Sequence, residues 1–288
     1  MTPISRAAFW MAGWLLLMVV IAVAGREATR ELTVFQVMAL RSFIGLVMLW
    51  PLIHHAGGLV AMRSQRLPQH VGRNIVHYAA QYGWFVALSL IPLAQLVAIE
   101  FTMPIWSALL AAVLLGERLD RARVGAVVLG LAGVVVIVRP DAANINLGQW
   151  IALAAAFGFG ISVVLVKSLT RTDAAIVVSF WMLVVQGVIG LLPALAVWRW
   201  PSAAAWGWVL VVAFCGTYSH YCFARAMQLA DATVVVPMDF LRVPLTALAG
   251  WALYAERVDL LTLVGMAFIL TGNGLNLVRA GGINRRNP

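Results

Sequence analysis

Apolar stretches of membrane-crossing length alternate with short polar connections along the chain, at 7–25, 34–53, 74–91, 94–115, 122–139, 148–168, 174–198, 203–228, 232–254 and 260–279. A helix needs about 20 mostly apolar residues to cross the hydrocarbon core, within a range of about 17–25. Each of the ten is therefore read as one transmembrane α-helix. Only the connection 54–73, HHAGGLVAMRSQRLPQHVGR, is long, and no stretch reads as a separate soluble domain. The expected class is an all-α integral membrane protein. Arg6 and the Ala22-Val23-Ala24 that precedes Gly25 imitate a secretory signal. The multispan character of the rest favours a first membrane helix instead.

Composition agrees. The hydrophobic share is 63%, the charged share 11% and the mean hydropathy +0.94, against about 25% charged residues in soluble domains. Such a chain cannot clothe a globular surface with polar side chains, so the lipid bilayer is its expected solvent. The net charge of +9 does not argue for nucleic acid, because the cations are scattered over the connections rather than gathered in a patch. They report orientation. With the N-terminus inside, 13 of the 20 Lys and Arg fall in cytoplasmic segments (Arg6, Arg63, Arg66, Arg73, Arg118, Arg121, Arg123, Lys167, Arg171, Arg225, Arg279, Arg285, Arg286). Five fall outside, at Arg26, Arg30, Arg139, Arg199 and Arg257. Both termini are thus expected in the cytoplasm, across the inner membrane of a bacterium. Trp198, Trp200, Trp206 and Trp208 cluster at an outer connection, where indoles anchor at headgroup level. Cys215 and Cys222 lie seven residues apart in one predicted helix, about 10 Å by helical rise, too far to bridge.

The chain repeats itself. LLGERLD at 114–120 returns as LYAERVD at 253–259, with Glu117 and Arg118 matching Glu256 and Arg257. At the same offset of 139, Tyr82 meets Tyr221, Ala87 meets Ala226, and Glu100 meets Asp239. Val124-Gly125 meets Val264-Gly265, and Trp10 meets Trp150, at an offset of 140. Two units follow, 1–142 and 143–288. Each holds five helices, and an odd number forces opposite orientations in the membrane. Inverted repeats are a common architecture of secondary transporters, with the substrate near the bilayer midplane between the halves.

Within the repeat, the pattern A-L/M-x-L, a helix with a mid-span proline, [GA]-E-R-x-D and a Gly-rich helix runs over 87–133 and again over 226–274. It resembles the EamA-type units of the ten-helix drug/metabolite transporter superfamily. Within it the chain is most similar to bacterial exporters of aromatic and other amino acids. The resemblance implies two five-helix repeats around a central cavity, no catalytic residue, no cofactor and no metal. It also treats the E-R phrase as a structural signature.

Ionisable residues at membrane depth usually face a cavity or one another. Arg41, Glu100, Asp239 and Arg242 stand out and sum to zero charge, so a network among them is expected. Some of these charges are also candidates for meeting a zwitterionic substrate. His77, Tyr78, Gln81 and Tyr82 form a polar-aromatic stripe in the third helix, with Tyr218, His220 and Tyr221 as its counterpart. These are the expected cavity-lining residues; interhelical hydrogen bonding is the alternative. Pro104, Pro237 and Pro244 interrupt apolar runs and are expected to kink their helices. The repeated glycines Gly125, Gly130, Gly133, Gly265, Gly272 and Gly274 suit close helix approach.

The expected activity is secondary transport of a small-molecule substrate, most simply export of amino acids or similar amphipathic metabolites by alternating access. The sequence has no G-x-x-x-x-G-K-[ST] phosphate loop. The proton carriers it offers are Glu100, Asp239 and His77. A channel is the alternative. An intramembrane enzyme is less favoured, since H-E-x-x-H and G-x-S-x-G are absent and Tyr218-Ser219-His220 lacks the glycine elbow. Oligomeric state is open.

Overall fold

The computed structural model describes residues 3–115, 121–138, 146–230, 234–235, 238–255, 259–261, 263–268 and 270–272. The described residues are mostly helical, with turns and short connections between the helices and no strand among them. The main elements are α1 (Pro3–Ala28), α2 (Val34–His55), α3 (Leu67–Leu90), α4 (Leu93–Glu100), α5 (Met103–Leu115), α6 (Arg121–Val138), α7 (Leu147–Leu169), α8 (Ala175–Ala196), α9 (Ala203–Leu229) and α10 (Arg242–Tyr254). Short 3-10 turns cover Leu59–Met62 and Asp239–Leu241. Among the described residues five helices (α1, α2, α7, α8 and α9) are long and apolar enough to cross a membrane. In a bilayer such segments must be helical, because nothing else pairs every backbone group locally. Their outer faces carry bare apolar side chains such as Leu16, Val47, Val188 and Leu192.

Local chemistry sets the helix ends. Thr33 accepts a hydrogen bond from the Gln36 N–H, Ser202 from that of Ala205, and Asn146 forms a capping box with Gln149. Each supplies an acceptor for amides that have no partner inside the helix. Asp259 directly precedes a helical residue, and its carbonyl accepts from the Leu263 amide, which is the N-cap arrangement. Its counterpart Asp120 and the phrase residues Glu117, Arg118, Glu256 and Arg257 lie outside the described residues.

Three expectations change. The third helix begins at Leu67 rather than 74, so His70 and Arg73 are helical and buried instead of lying in a connection. The fourth stretch is two helices, α4 and α5, separated at Phe101-Thr102. The ninth is likewise interrupted, by the turn Asp239–Leu241. Pro104 and Pro244 are not mid-helix kinks. Pro104 is the second residue of α5 and Pro244 the third of α10, first-turn positions where a missing N–H removes no helical bond. Pro237 lies outside the described residues, while Pro51 and Pro193 do sit inside α2 and α8.

The helices pack across the halves: α1 on α9, α3 on α7, and α2 on α8. Exchanging the halves turns the first pair into the second and leaves the third unchanged. At one end of the bundle, the α1–α2 connection meets the start of α9, where the Ser202 N–H and Oγ donate to Glu31 at 2.7 and 2.6 Å. At the other end, Ser64 Oγ donates to Asp173 Oδ2 at 2.6 Å, and His70 Nε2 lies 2.7 Å from the same oxygen. The 22 residues of α2 hold these ends about 33 Å apart. α1 runs from the Asp173 end to the Glu31 end, and α7 runs the opposite way.

Candidate functional site

A cavity of about 60 Å³ lies where α1, α3, α7 and α9 face the breaks after α4 and before α10. Each helix presents one stripe to it. From α3 come Arg73, His77, Gln81 and Trp84, spaced by four, four and three residues, so they share a face. From α1 come Trp14, Met18 and Ile21; from α7, Phe159, Ser162, Val163 and Val166; from α9, His220 and Phe223. Glu100 and Met103 flank the α4–α5 break, and Asp239 opens the short turn before α10.

The carboxylates of the two breaks meet a single guanidinium. Arg242 Nη2 donates to Glu100 Oε1 at 2.7 Å and to Asp239 Oδ2 at 2.9 Å, while its Nη1 reaches Glu100 Oε2 at 3.3 Å. All three residues are at most 5% exposed. Two indoles complete the shell: Trp84 Nε1 donates to Glu100 at 2.7 Å, and Trp14 Nε1 to Asp239 at 2.6 Å. The Arg242 guanidinium also lies 5.1 Å from the Phe101 ring centroid, a cation–π distance. Removed from water, such charges persist only when paired and hydrogen-bonded. The interruptions bring this about, because the chain leaves helical geometry where each carboxylate turns inward.

A second polar corner sits along the same stripe of α3. Arg73 Nε donates to Ser162 Oγ at 2.9 Å, and Nη1 to Asn74 Oδ1 at 2.7 Å. His77 Nδ1 lies 3.1 Å from the same Ser162 Oγ. The His77 ring stands edge-on to His220, with centroids 5.0 Å apart.

Of the residues singled out in the sequence, His77, Gln81, Glu100, His220 and Asp239 line the cavity. Tyr78, Tyr82, Tyr218 and Tyr221 do not. Tyr78 packs by Gly190, Tyr82 stacks on Phe35 at 4.5 Å, Tyr221 meets Trp10, and Tyr218 donates to the Met48 carbonyl at 2.7 Å. The stripe continues by four and three residues, which turns the adjacent tyrosines away. Arg41 does not join the carboxylates. It is fully buried on α2 and donates to Gln186 of α8 at 3.0 Å. Trp14, Trp84, Arg73 and Ser162 were missed. Trp and Ser in an apolar helix carry no signal by themselves, and Arg73 was hidden by the late start assigned to its helix. The i, i+4 spacing of Arg73 from His77 was the available clue.

The EamA-like transporter family model matches this chain twice, over residues 5–139 and 146–278. The chain belongs to that family. It is a multi-pass membrane transporter of the EamA-like family. A riboflavin transporter of Rhizobium johnstonii is 29% identical over 75% of this chain and 72% of its own. An S-adenosylmethionine uptake transporter of Rickettsia bellii is 23% identical over 90% of each. A pseudopaline exporter of Pseudomonas aeruginosa is 25% identical over 85% of this chain and 86% of its own. One solved crystal structure superposes with a TM-score of 0.77 at 21% identity, covering 97% of this chain and 99% of its own. That likeness speaks for the fold alone.

Proposed function

We propose that this EamA-like protein is a secondary transporter that moves a small amphipathic metabolite by alternating access, with aromatic or other apolar amino acids, exported from the cell, as the first candidates. The observation that carries the reading is the cavity lined by both halves of the chain, with the Glu100–Arg242–Asp239 cluster built from the two helix breaks. Interrupted helices in corresponding places are where transporters hold substrates. A space of about 60 Å³ admits a few waters and no metabolite. Contacts at Glu31–Ser202 and Ser64–Asp173 tie the two halves together at the two ends of the bundle.

The exchangeable packing pairs and the opposed directions of α1 and α7 support ten spans in two inverted units, 1–142 and 143–288. The placement of cations assigns the Ser64–Asp173 end to the cytoplasm, with both termini there and a bacterial inner membrane as the host. The named relatives carry riboflavin, S-adenosylmethionine and pseudopaline, so these compounds form the second group of candidates.

The test is reconstitution in liposomes and counterflow of labelled phenylalanine, tryptophan, leucine, riboflavin and S-adenosylmethionine, with and without a pH gradient. Saturable counterflow of an amino acid is the expected result. Counterflow of riboflavin or S-adenosylmethionine alone would replace the substrate class. Flux that fails to saturate and shows no countertransport would turn the reading toward a channel.

A further inference from the structure

The two polar ends of the cavity differ in what they leave unsatisfied. Around Arg242 the charges answer one another, and Trp14 and Trp84 hold the carboxylate oxygens. Arg73 has no such partner. It is 4% exposed, lines the cavity and donates only to the neutral Ser162 and Asn74. Among the described residues no carboxylate lies within ion-pair distance of it. The buried charged side chains among the described residues are Arg41, Arg73 and Arg242 against Glu100 and Asp239, one positive charge in excess. An uncompensated buried cation is costly, so it marks a place where a counter-charge belongs.

The hydrogen bonds of this corner have a direction. A guanidinium can only donate, so Ser162 Oγ accepts from Arg73 Nε. The serine keeps one proton and a second lone pair, so toward His77 Nδ1, 3.1 Å away, it donates in one imidazole tautomer and accepts in the other. In the tautomer that accepts the serine proton at Nδ1, the imidazole carries its own proton on Nε2. That nitrogen is buried and has no partner, although His77 lines the cavity. In that tautomer the corner presents a bare N–H donor beside a guanidinium that has no counter-charge. A buried donor left unmade costs free energy that an acceptor would recover. The acceptor that suits both groups is an oxyanion.

The geometry points to the Arg73–Ser162–His77 corner as the binding site for the carboxylate of the transported metabolite, with the apolar remainder of the cargo against Phe159 and Val163. This rests on the transporter reading above and sharpens it to carboxylate-bearing cargo. The same corner chemistry would also suit a free inorganic anion.

The experiment follows thermal unfolding of the purified full-length protein in detergent. Its probes are L-phenylalanine and 3-phenylpropionate, each paired with its carboxamide, and chloride. Both acids are expected to bind about tenfold or more tightly than their amides, the effect of a charge-assisted hydrogen bond. Arg73→Gln is expected to erase that preference and Arg73→Lys to keep part of it. If Arg73→Gln does not fold, the acid-to-amide ratio in wild type and Arg73→Lys decides. Equal binding of acids and amides, or no binding of any probe, overturns the inference, as does an acid preference that survives in Arg73→Gln. Chloride that displaces the acids at equal concentration assigns the corner to a free anion and also overturns it. Counterflow of the same compounds in liposomes separates the two readings. Flux without acid preference removes the corner and leaves a transporter. Acid-selective binding without any flux keeps the corner and removes transport.

Discussion

Arg242 carries the most consequence of any single side chain, because it holds two buried carboxylates at once. Arg242→Met keeps much of the volume and strands Glu100 and Asp239 together. The expected loss is about 3–5 kcal/mol, read as a lower unfolding midpoint in detergent and a smaller folded fraction by size exclusion. Asp239→Asn/Glu100→Gln in the same background is expected to recover much of it, since the stranded charges are then gone. A second residue bears on the repeated phrase. Ala255 ends α10 in the left-handed region, with φ 53° and ψ 29°, and its N–H bonds the Gly250 carbonyl. Gly116 holds the corresponding place in the first copy of the phrase. A helix end of this kind favours glycine, and a left-handed alanine costs roughly 1 kcal/mol. Ala255→Gly is accordingly expected to raise stability by about 1 kcal/mol, measured by thermal unfolding. The [GA] before E-R thus reads as a helix terminator.

Among elements, the approach of α7 to its neighbours depends on small residues. A Cβ added at Gly160 would come within 2.7 Å of Trp106 Cβ and 3.2 Å of the Ser107 backbone nitrogen on α5. One at Gly158 would meet Ala80 Cβ on α3 at 2.9 Å. Backbone and Cβ atoms cannot step aside as the end of a flexible side chain can. Gly160→Ala is expected to cost about 1–3 kcal/mol by forcing α5 and α7 apart, with reduced transport if α5 moves against α7 during the cycle. Gly72→Ala, which meets nothing within 4 Å, is the control. It is expected to be neutral or to gain up to about 1 kcal/mol from helix propensity. Comparing folded yields of the two variants checks both. The breaks at Phe101-Thr102 and Asp239–Leu241 were not legible in hydropathy. The apolar pattern runs straight through them, and at the breaks the carboxylates pair with a cation over 140 residues away in one case and three in the other.

For the whole molecule, the two ends carry carboxylates whose acidity differs from the ordinary. The Ser202 hydroxyl and backbone N–H hold Glu31 below its usual value of 4.5. At Asp173 partial burial pushes upward, yet hydrogen bonds from Ser64 and His70 and the attraction of His70 bring the net value below 3.8. A carboxylate depressed in the folded state stabilises it fully above the unfolded value and loses that contribution as pH falls through the folded value. Both end contacts are therefore expected to be intact at neutral pH and to release below about pH 4. Hydrogen exchange of the α1–α2 and α7–α8 connections should rise there. Glu31→Gln should flatten the dependence at its own end only. An unchanged profile in Glu31→Gln would show that this contact does not set the pH dependence at its end.

Solvent class, helical content and the doubled phrase were determined by the amino-acid sequence itself. Apolar runs of membrane length need only local hydrogen bonds, and repeats are visible as identities at a fixed offset. Glu100, Asp239, His77 and His220 were also legible as cavity residues, because charge and imidazole in an apolar helix need an internal partner. Tertiary structure alone decided which partner each one took. It gave both carboxylates to Arg242, sent Arg41 to Gln186, turned four tyrosines away from the cavity and left Arg73 without a counter-charge. The reason is physical. A side chain's need for a partner is a property of that residue, whereas the partner that satisfies it depends on rotation and register between helices far apart in the chain.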